Sequence, residues 1–459
     1  MNFEDAVRWG NAEQLAQAYL KKYYGDTEIK FPINPFQMLK DEGVDFSLLD
    51  LNKLEGLYIP KQDANDLPVV GINANRPITR QRFTAAHELC HHLRDSDKAI
   101  SCPQFGKKNP IEKYADKFAA ALLMPADVFA KQIAQYIGER EYLTFDDLLR
   151  ISDYFGVSFE ACVFRAAYSF HVVEGETDSH ILKSRISLFH PESVRRQLGL
   201  TYAGLYADLL DSYSDQLKLQ PERHAEYIFE NEYIFNDSRM EGLDVDLEQA
   251  SEIVTDLRMN TLNSPYCTED NEAFLSIAGH YALYQRIFDS SPKNDISVFD
   301  MIGLHKLLFQ YYPFPDFGGS LRDIDTLVLG ARFDTVDPTD IVPMLLKIDA
   351  TVKDQFKKKD SVSLSEYLMH VVTVHHALTV IHPFKDGNGR ITRAFMNMQL
   401  LSAGMIPIYI KIGEEKEEYM EALAIADRTG NMDALFEVIV KSMLRIYVDS
   451  NKHVFEIEE

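Results

Sequence analysis

The segment His382–Arg393 reads HPFKDGNGRITR and packs a histidine, an acid, two glycines and two arginines into one short run. Asp-Gly and Asn-Gly are strong hairpin signals, so the first question is whether the chain turns back here between two strands. The flanks exclude it. SEYLMHVVTVHHALTVIHPF leading into the turn and ITRAFMNMQLLSAG at its far side have helical, not alternating, periodicity. The segment is therefore predicted to be a Gly-rich loop entering a helix. Such a junction offers backbone N–H groups and the positive end of a helix dipole to an anion. Glycine lets the backbone approach phosphate oxygens without a Cβ in the way. Arg390 and Arg393 lie three apart on the new helix and can face one ligand. Asp386 is a hard oxygen ligand suited to Mg²⁺, and His382 is placed to act as a base near neutral pH.

Working outward, nearly everything from about residue 221 has a helical period. The exception is DIDTLVLGARFDTV (323–336), which reads as a hairpin turning at Gly330. Upstream the pattern is mixed. LEGLYIP and PVVGINA read as short strands, and helices are expected over about 79–94 and 110–124. A helix–turn–helix pattern with Gly156 at its turn covers 144–168. Its second helix is mostly apolar, which favours packing over DNA binding. The expected fold class is multidomain: an α+β domain over 1–170, a connector over 171–220 and a mostly α domain over 221–459.

Bulk properties agree with a soluble regulator or enzyme. Hydrophobic residues make up 46% and charged residues 26%, an ordinary globular balance. A net charge of -24 repels nucleic-acid phosphates and disfavours a nucleic-acid partner, whereas ATP can still be held by local dipoles and arginines. Four cysteines without CxxC pairing predict free thiols and a reducing, cytoplasmic setting. Neither a leader peptide nor a membrane span is expected.

A second cluster lies in TAAHELCHH. His87 and His91 are four residues apart, so on a helix they share a face and can grip one Zn²⁺, with Glu88 beside them to activate water. Glu112 suits two roles. It is a possible third ligand, and after Asn109-Pro110 it also sits where a capping-box glutamate would.

RFTAAHELCHHL, IEKYADKFAAALLMP and ISDYFGVSFEACVFR together resemble the ImmA/IrrE metallopeptidase family in order and spacing. The resemblance implies a zincin-like peptidase domain in which His87, His91 and Glu112 bind zinc and Glu88 is the general base. Asp116 is at most a supporting neighbour. Cys90 stands where a glycine is usual.

HPFKDGNGRITR resembles the Fic-family signature at every fixed position. The resemblance implies a Fic fold in which His382 deprotonates a Ser, Thr or Tyr hydroxyl of a target protein and AMP is transferred to it from ATP. Asp386 would hold Mg²⁺. Gly387, Asn388 and Gly389 would form the anion nest, Arg390 and Arg393 would contact the outer phosphates, and Phe384 would anchor the loop. GGSLR and the hairpin after it resemble the family's flap, an edge that can hold a target segment by strand addition. NDSRMEG resembles its inhibitory helix, here near 236–243. Glu241 would pair with Arg393, although Asp237 stands where Ser or Thr is usual. Other readings are a Fic site that uses another nucleotide or removes AMP, and a sensor whose peptidase domain only binds a protein.

Overall fold

The computed structural model describes residues 2–103, 109–175, 178–218, 226–260, 263–267, 271–288, 295–313, 318–326 and 335–451. The chain divides after Ser212 into two compact units, the second running from Tyr213 to Asn451.

The first unit holds a mixed four-stranded sheet in the order β1-β3-β2-β4, formed by β1 (Asp45–Leu49), β2 (Leu54–Ile59), β3 (Val69–Asn73) and β4 (Ile100–Pro103). β1 runs parallel to β3, while β2 is antiparallel to both β3 and β4. The helix Ile78–Arg94 lies against β2 and β3, and the helix Pro110–Leu123 packs on it in turn. Gly56 in β2 makes the first packing possible. A Cβ there would stand 2.5 Å from Thr84 Cγ2 and 2.6 Å from Glu88 Oε1.

The helix–turn–helix stretch is built as its caps dictate. Thr144 and Asp147 close a capping box, Gly156 takes the left-handed conformation, and Ser158 caps the next helix. The Gly156 carbonyl accepts from Arg82 Nε at 3.0 Å, and Arg82 is fully buried. Arg165 retains only 9% side-chain exposure. This element is a packing unit of the domain, not a presented recognition helix.

Residues read as a connector are largely helical: Ser179–Phe189, Pro191–Gln197 and Ala203–Ser212. Asn34 Nδ2 donates to the Asp208 carbonyl at 3.2 Å and to Ser212 Oγ at 3.0 Å, which binds the last of these helices to the first unit. Buried Leu182, Leu209 and Leu210 supply the apolar contact that periodicity alone left ambiguous.

The second unit is mostly helical. Its core joins Leu308, Phe309, Phe384, Ile391 and Phe395, and a neighbouring cluster is centred on Tyr233, Ile234, Ile253 and Ile277. Gly279 in the helix Glu272–Phe288 is a contact requirement, since a Cβ there would lie 2.0 Å from the Leu308 carbonyl oxygen. The expected hairpin at Gly330 lies outside the described residues. Among the residues flanking it, Thr335 Oγ1 donates to the Thr326 carbonyl at 2.5 Å. Among the described residues no helix is long and apolar enough to cross a membrane.

Candidate functional site

In the second unit the site is a helix end, a turn and a helix start. The helix Leu364–Ile381 stops at His382, whose φ of 51° is left-handed. The next helix, Asn388–Ser402, begins after Gly387, whose φ is 73°. A Cβ at Gly387 would also stand 2.8 Å from the Phe309 ring, so both backbone and space demand glycine. Asn388 spends its side chain on the loop. Its Oδ1 accepts from the Phe384 N–H at 2.9 Å and its Nδ2 donates to the Phe384 carbonyl at 2.8 Å. What Asn388 can still offer an anion is its backbone N–H, one of those left without an intrahelical acceptor at a helix start.

Two residues outside the motif hold this turn. Arg322 of the GGSLR segment donates from Nε to the His382 carbonyl at 2.7 Å and from its backbone N–H to the Pro383 carbonyl at 2.9 Å. His305 stacks on Phe384 at 4.0 Å, accepts the Gly319 N–H at 2.8 Å, and places Nε2 3.1 Å from the Asp386 carbonyl. Burial pushes the His305 imidazole down to about 4, which keeps the ring neutral and its Nδ1 able to accept. Burial likewise lowers the His382 imidazole, outweighing its hydrogen bond to the Thr379 backbone. His382 therefore stands ready to accept a proton at neutral pH.

The arginines are positioned differently. Arg390 donates to Ser276 Oγ at 3.0 Å, lies 3.6 Å from Asp386 Oδ1 and stacks over Phe309. Arg393 is gripped by two carboxylates. Its Nη2 donates to Glu241 Oε1 at 2.6 Å, and its Nε donates to Asp237 Oδ1. A Cβ at Gly389 would stand 2.6 Å from Glu241 Oε1. Glu241 thus lies directly over the glycine backbone of the nest.

Glu241 is delivered by a helix stop. The helix Glu226–Met240 ends with the Leu243 N–H bonded to the Ser238 carbonyl at 3.2 Å and Gly242 at φ 86°, a Schellman arrangement that needs the glycine. Asp237 sits one turn earlier on the same face and is buried. Its Oδ2 takes His280 Nε2 at 2.9 Å, while His280 Nδ1 faces Ser238 Oγ at 3.2 Å. Burial alone would push the Asp237 carboxyl up, but Arg393 and His280 outweigh it and hold it at about 2. Asp237, a departure when read against the family pattern, is therefore bonded to the same guanidinium as Glu241. Its i, i+4 spacing from Glu241 was the signal available in the sequence.

In the first unit the HExxH helix and the helix after it bring His87, His91 and Glu112 together. The two imidazole Nε2 atoms are 3.0 Å apart, and each lies 3.4 Å from a Glu112 oxygen. Neither Glu112 oxygen has a hydrogen-bond partner, although the residue is buried. Asn109 caps the helix by accepting the Glu112 N–H at 2.9 Å, but the carboxylate turns to the histidines instead of closing a capping box. Asp116 Oδ1 lies 3.1 Å from His87 Nδ1, the outer nitrogen of that ring. Burial would lower the His87 imidazole, but Asp116 and Glu112 push it up to about 9. Burial would raise the Glu112 carboxyl, yet the two imidazoles hold it well below the usual range. The donor set, buried and short of hydrogen-bond partners, fits a zinc ion.

One residue of this cluster was not anticipated. Cys102 in β4, paired with Gly56 across the sheet, directs its Sγ to Glu88 Oε1 at 2.9 Å and lies 4.0 Å from His91 Nε2. The donor atoms of His87, His91, Cys102 and Glu112 all lie within 4.8 Å of one another. Only the alternation of an edge strand that did not stand out in the sequence carries Cys102 there.

Two family models match separate segments of the chain. The family model described as IrrE N-terminal-like domain matches residues 40–167, and that of the Fic/DOC family matches residues 295–400. Among curated proteins, the protein adenylyltransferase fic-1 of Caenorhabditis elegans is 27% identical over 138 residues, 30% of this chain and 25% of that protein. The protein adenylyltransferase Fic of Drosophila melanogaster is 26% identical over 200 residues, 43% of this chain and 37% of that protein. The chain therefore spans a quarter to somewhat over a third of these relatives' length. Among solved structures, a fragment of Fic-1 from C. elegans aligns with 72% of this chain and 93% of its own, at TM-score 0.44 and 17% identity.

Proposed function

We propose that the second unit transfers AMP from ATP to a hydroxyl group of a target protein, and that this activity is held back by Glu241. The observation that carries the reading is the Glu241–Arg393 pair at 2.6 Å above Gly389, beside a half-buried His382 whose imidazole is lowered by desolvation. His382 takes the proton of the target hydroxyl, the oxygen attacks the α-phosphorus, and the bond to pyrophosphate breaks, leaving a phosphodiester to AMP. The open N–H groups at Asn388, Gly389 and Arg390 receive phosphate oxygens. Arg390 and, once Glu241 leaves it, Arg393 neutralise the outer phosphates, so positioning and charge compensation supply most of the rate. Asp386, whose side chain is 64% exposed, is the residue that would hold Mg²⁺, and the ion would offset charge on the leaving pyrophosphate. The segment after Arg322, which resembles the family's flap, would receive the target segment.

With Glu241 in place, the γ-phosphate competes for a guanidinium already engaged, so ATP binds in an unproductive pose. The test is incorporation of α-labelled ATP with Mg²⁺ by the full chain, alone and in a lysate. Glu241→Gly is expected to raise labelling at least tenfold. His382→Ala in that background should lower it about 10²–10⁴-fold, the range for loss of a general base. Unchanged labelling in Glu241→Gly would remove the inhibitory role.

The first unit we read as a zinc-dependent peptidase domain that acts on this protein's regulation or on a partner. His87, His91 and Glu112 would hold the ion, and Asp116 would orient His87 through its outer nitrogen. Zinc would supply Lewis acidity toward a scissile carbonyl and its water, and Glu88 is the residue beside the site that can carry a proton.

A further inference from the structure

Resting on the zinc reading of the first unit, we propose that Cys102 is a fourth protein ligand, so that this unit holds a closed His₂-Glu-Cys centre in its resting state.

The argument starts from distances. Four ligands around a tetrahedral zinc at about 2.0–2.1 Å for nitrogen and oxygen and about 2.3 Å for sulfur stand about 3.3–3.6 Å from one another. The contacts here are 3.0 Å for His87–His91, 3.4 Å for each histidine to Glu112, and 4.0 Å for His91–Cys102. They bracket the required edge length, closing the His91–Cys102 contact takes a few tenths of an ångström, and the remaining donor pairs lie within 4.8 Å. The sulfur is delivered by the sheet rather than by a flexible tail. Cys102 is paired with Gly56 and 5% exposed. The second, independent observation is the unsatisfied chemistry around it. Both oxygens of Glu112, 3% exposed, lack a hydrogen-bond partner.

The position matters as much as the distance. In a hydrolytic zinc site three protein ligands leave the fourth place open, whereas four protein ligands make a structural site. Cys102 Sγ lies 2.9 Å from Glu88 Oε1, which is where a general base would hold a water. Ligation takes the thiolate. The proton leaves sulfur for the Glu88 carboxylate, so the same contact that delivers the ligand occupies the base. The other three cysteines are not in the cluster, which makes the sulfur assignment specific.

The test uses the full chain, stripped with a chelator and reloaded with Co²⁺ or Zn²⁺ alone. With one equivalent of Co²⁺, wild-type protein is expected to show a sulfur-to-cobalt charge-transfer band. Cys102→Ser should bind one equivalent without that band and lose it to a competing chelator at least tenfold faster. Should the variant not fold, X-ray absorption at the zinc edge of wild-type protein reads the same point, as one sulfur scatterer at about 2.3 Å. A stoichiometric wild-type complex with no sulfur signature overturns the fourth ligand while leaving the three-residue metal site standing. Failure to bind either ion overturns the metal site and the proposal with it.

Discussion

Arg393 is held by two acids that differ in one physical respect, and that difference predicts different consequences. Asp237 has 4% side-chain exposure, Glu241 27%. Removing one partner of a buried charge pair strands the other, so Asp237→Ala is expected to cost about 3–5 kcal/mol. Glu241→Ala breaks a pair that water partly screens and should cost under about 1 kcal/mol. Urea midpoints with unchanged slope measure both. Equal losses would contradict the assignment of Asp237 as the structural anchor and Glu241 as the releasable one. His87, Glu88, His91, His382, Arg390 and Arg393 were legible in the sequence because each motif is local, with partners one turn of helix or one loop away. Asp237 was legible only as a deviation, since its partners Arg393 and His280 are distant in the chain.

At the level of elements, two glycines do work that no other residue can. Gly56 lets the HExxH helix rest on β2. Gly56→Ala should displace Glu88 or the helix and lower metal retention, measured as zinc content after dialysis, with a stability loss of about 1–3 kcal/mol from overpacking. Gly242 ends the helix that carries Glu241 at φ 86°. Gly242→Ala is therefore expected to misplace the carboxylate and raise AMP incorporation toward the Glu241→Gly level, although the acid itself is intact. Both elements were foreseen, but not their contacts: periodicity names the faces of a helix, and only packing says which strand a face meets. The stretch 171–212 shows the same limit, because its three helices owe their place to Asn34, Arg82 and buried leucines rather than to strong local signals.

At the scale of the whole molecule, the second unit responds to pH through buried groups that the folded state keeps in one charge state. In the second unit, burial lowers the imidazoles of His305 to about 4 and of His375 to about 3. The unfolded chain binds protons at these residues below about pH 6.5, whereas the folded unit does not until far lower. Stability therefore falls as pH drops from about 6.5 toward 4, by about 3 kcal/mol for a group displaced as far as His305. Asp237 has the same sign at lower pH: its contribution is complete above about 4 and is lost as pH falls through about 2. Melting temperatures of the full chain between pH 7 and 4.5 should fall, and His305→Gln should flatten the slope.

The sequence by itself located the two candidate sites, because an i, i+4 histidine pair and a glycine turn at a helix start are short-range objects whose geometry follows from helix pitch and φ. It also determined the mixed and helical halves, through hydrophobic period. Tertiary structure alone decided which further groups meet at those sites. Asp237 reaches Arg393 across more than 150 residues, and Cys102 reaches Glu88 only through β-sheet pairing. Such meetings depend on the burial of apolar faces far from the reacting atoms, and a motif's own residues carry no record of it.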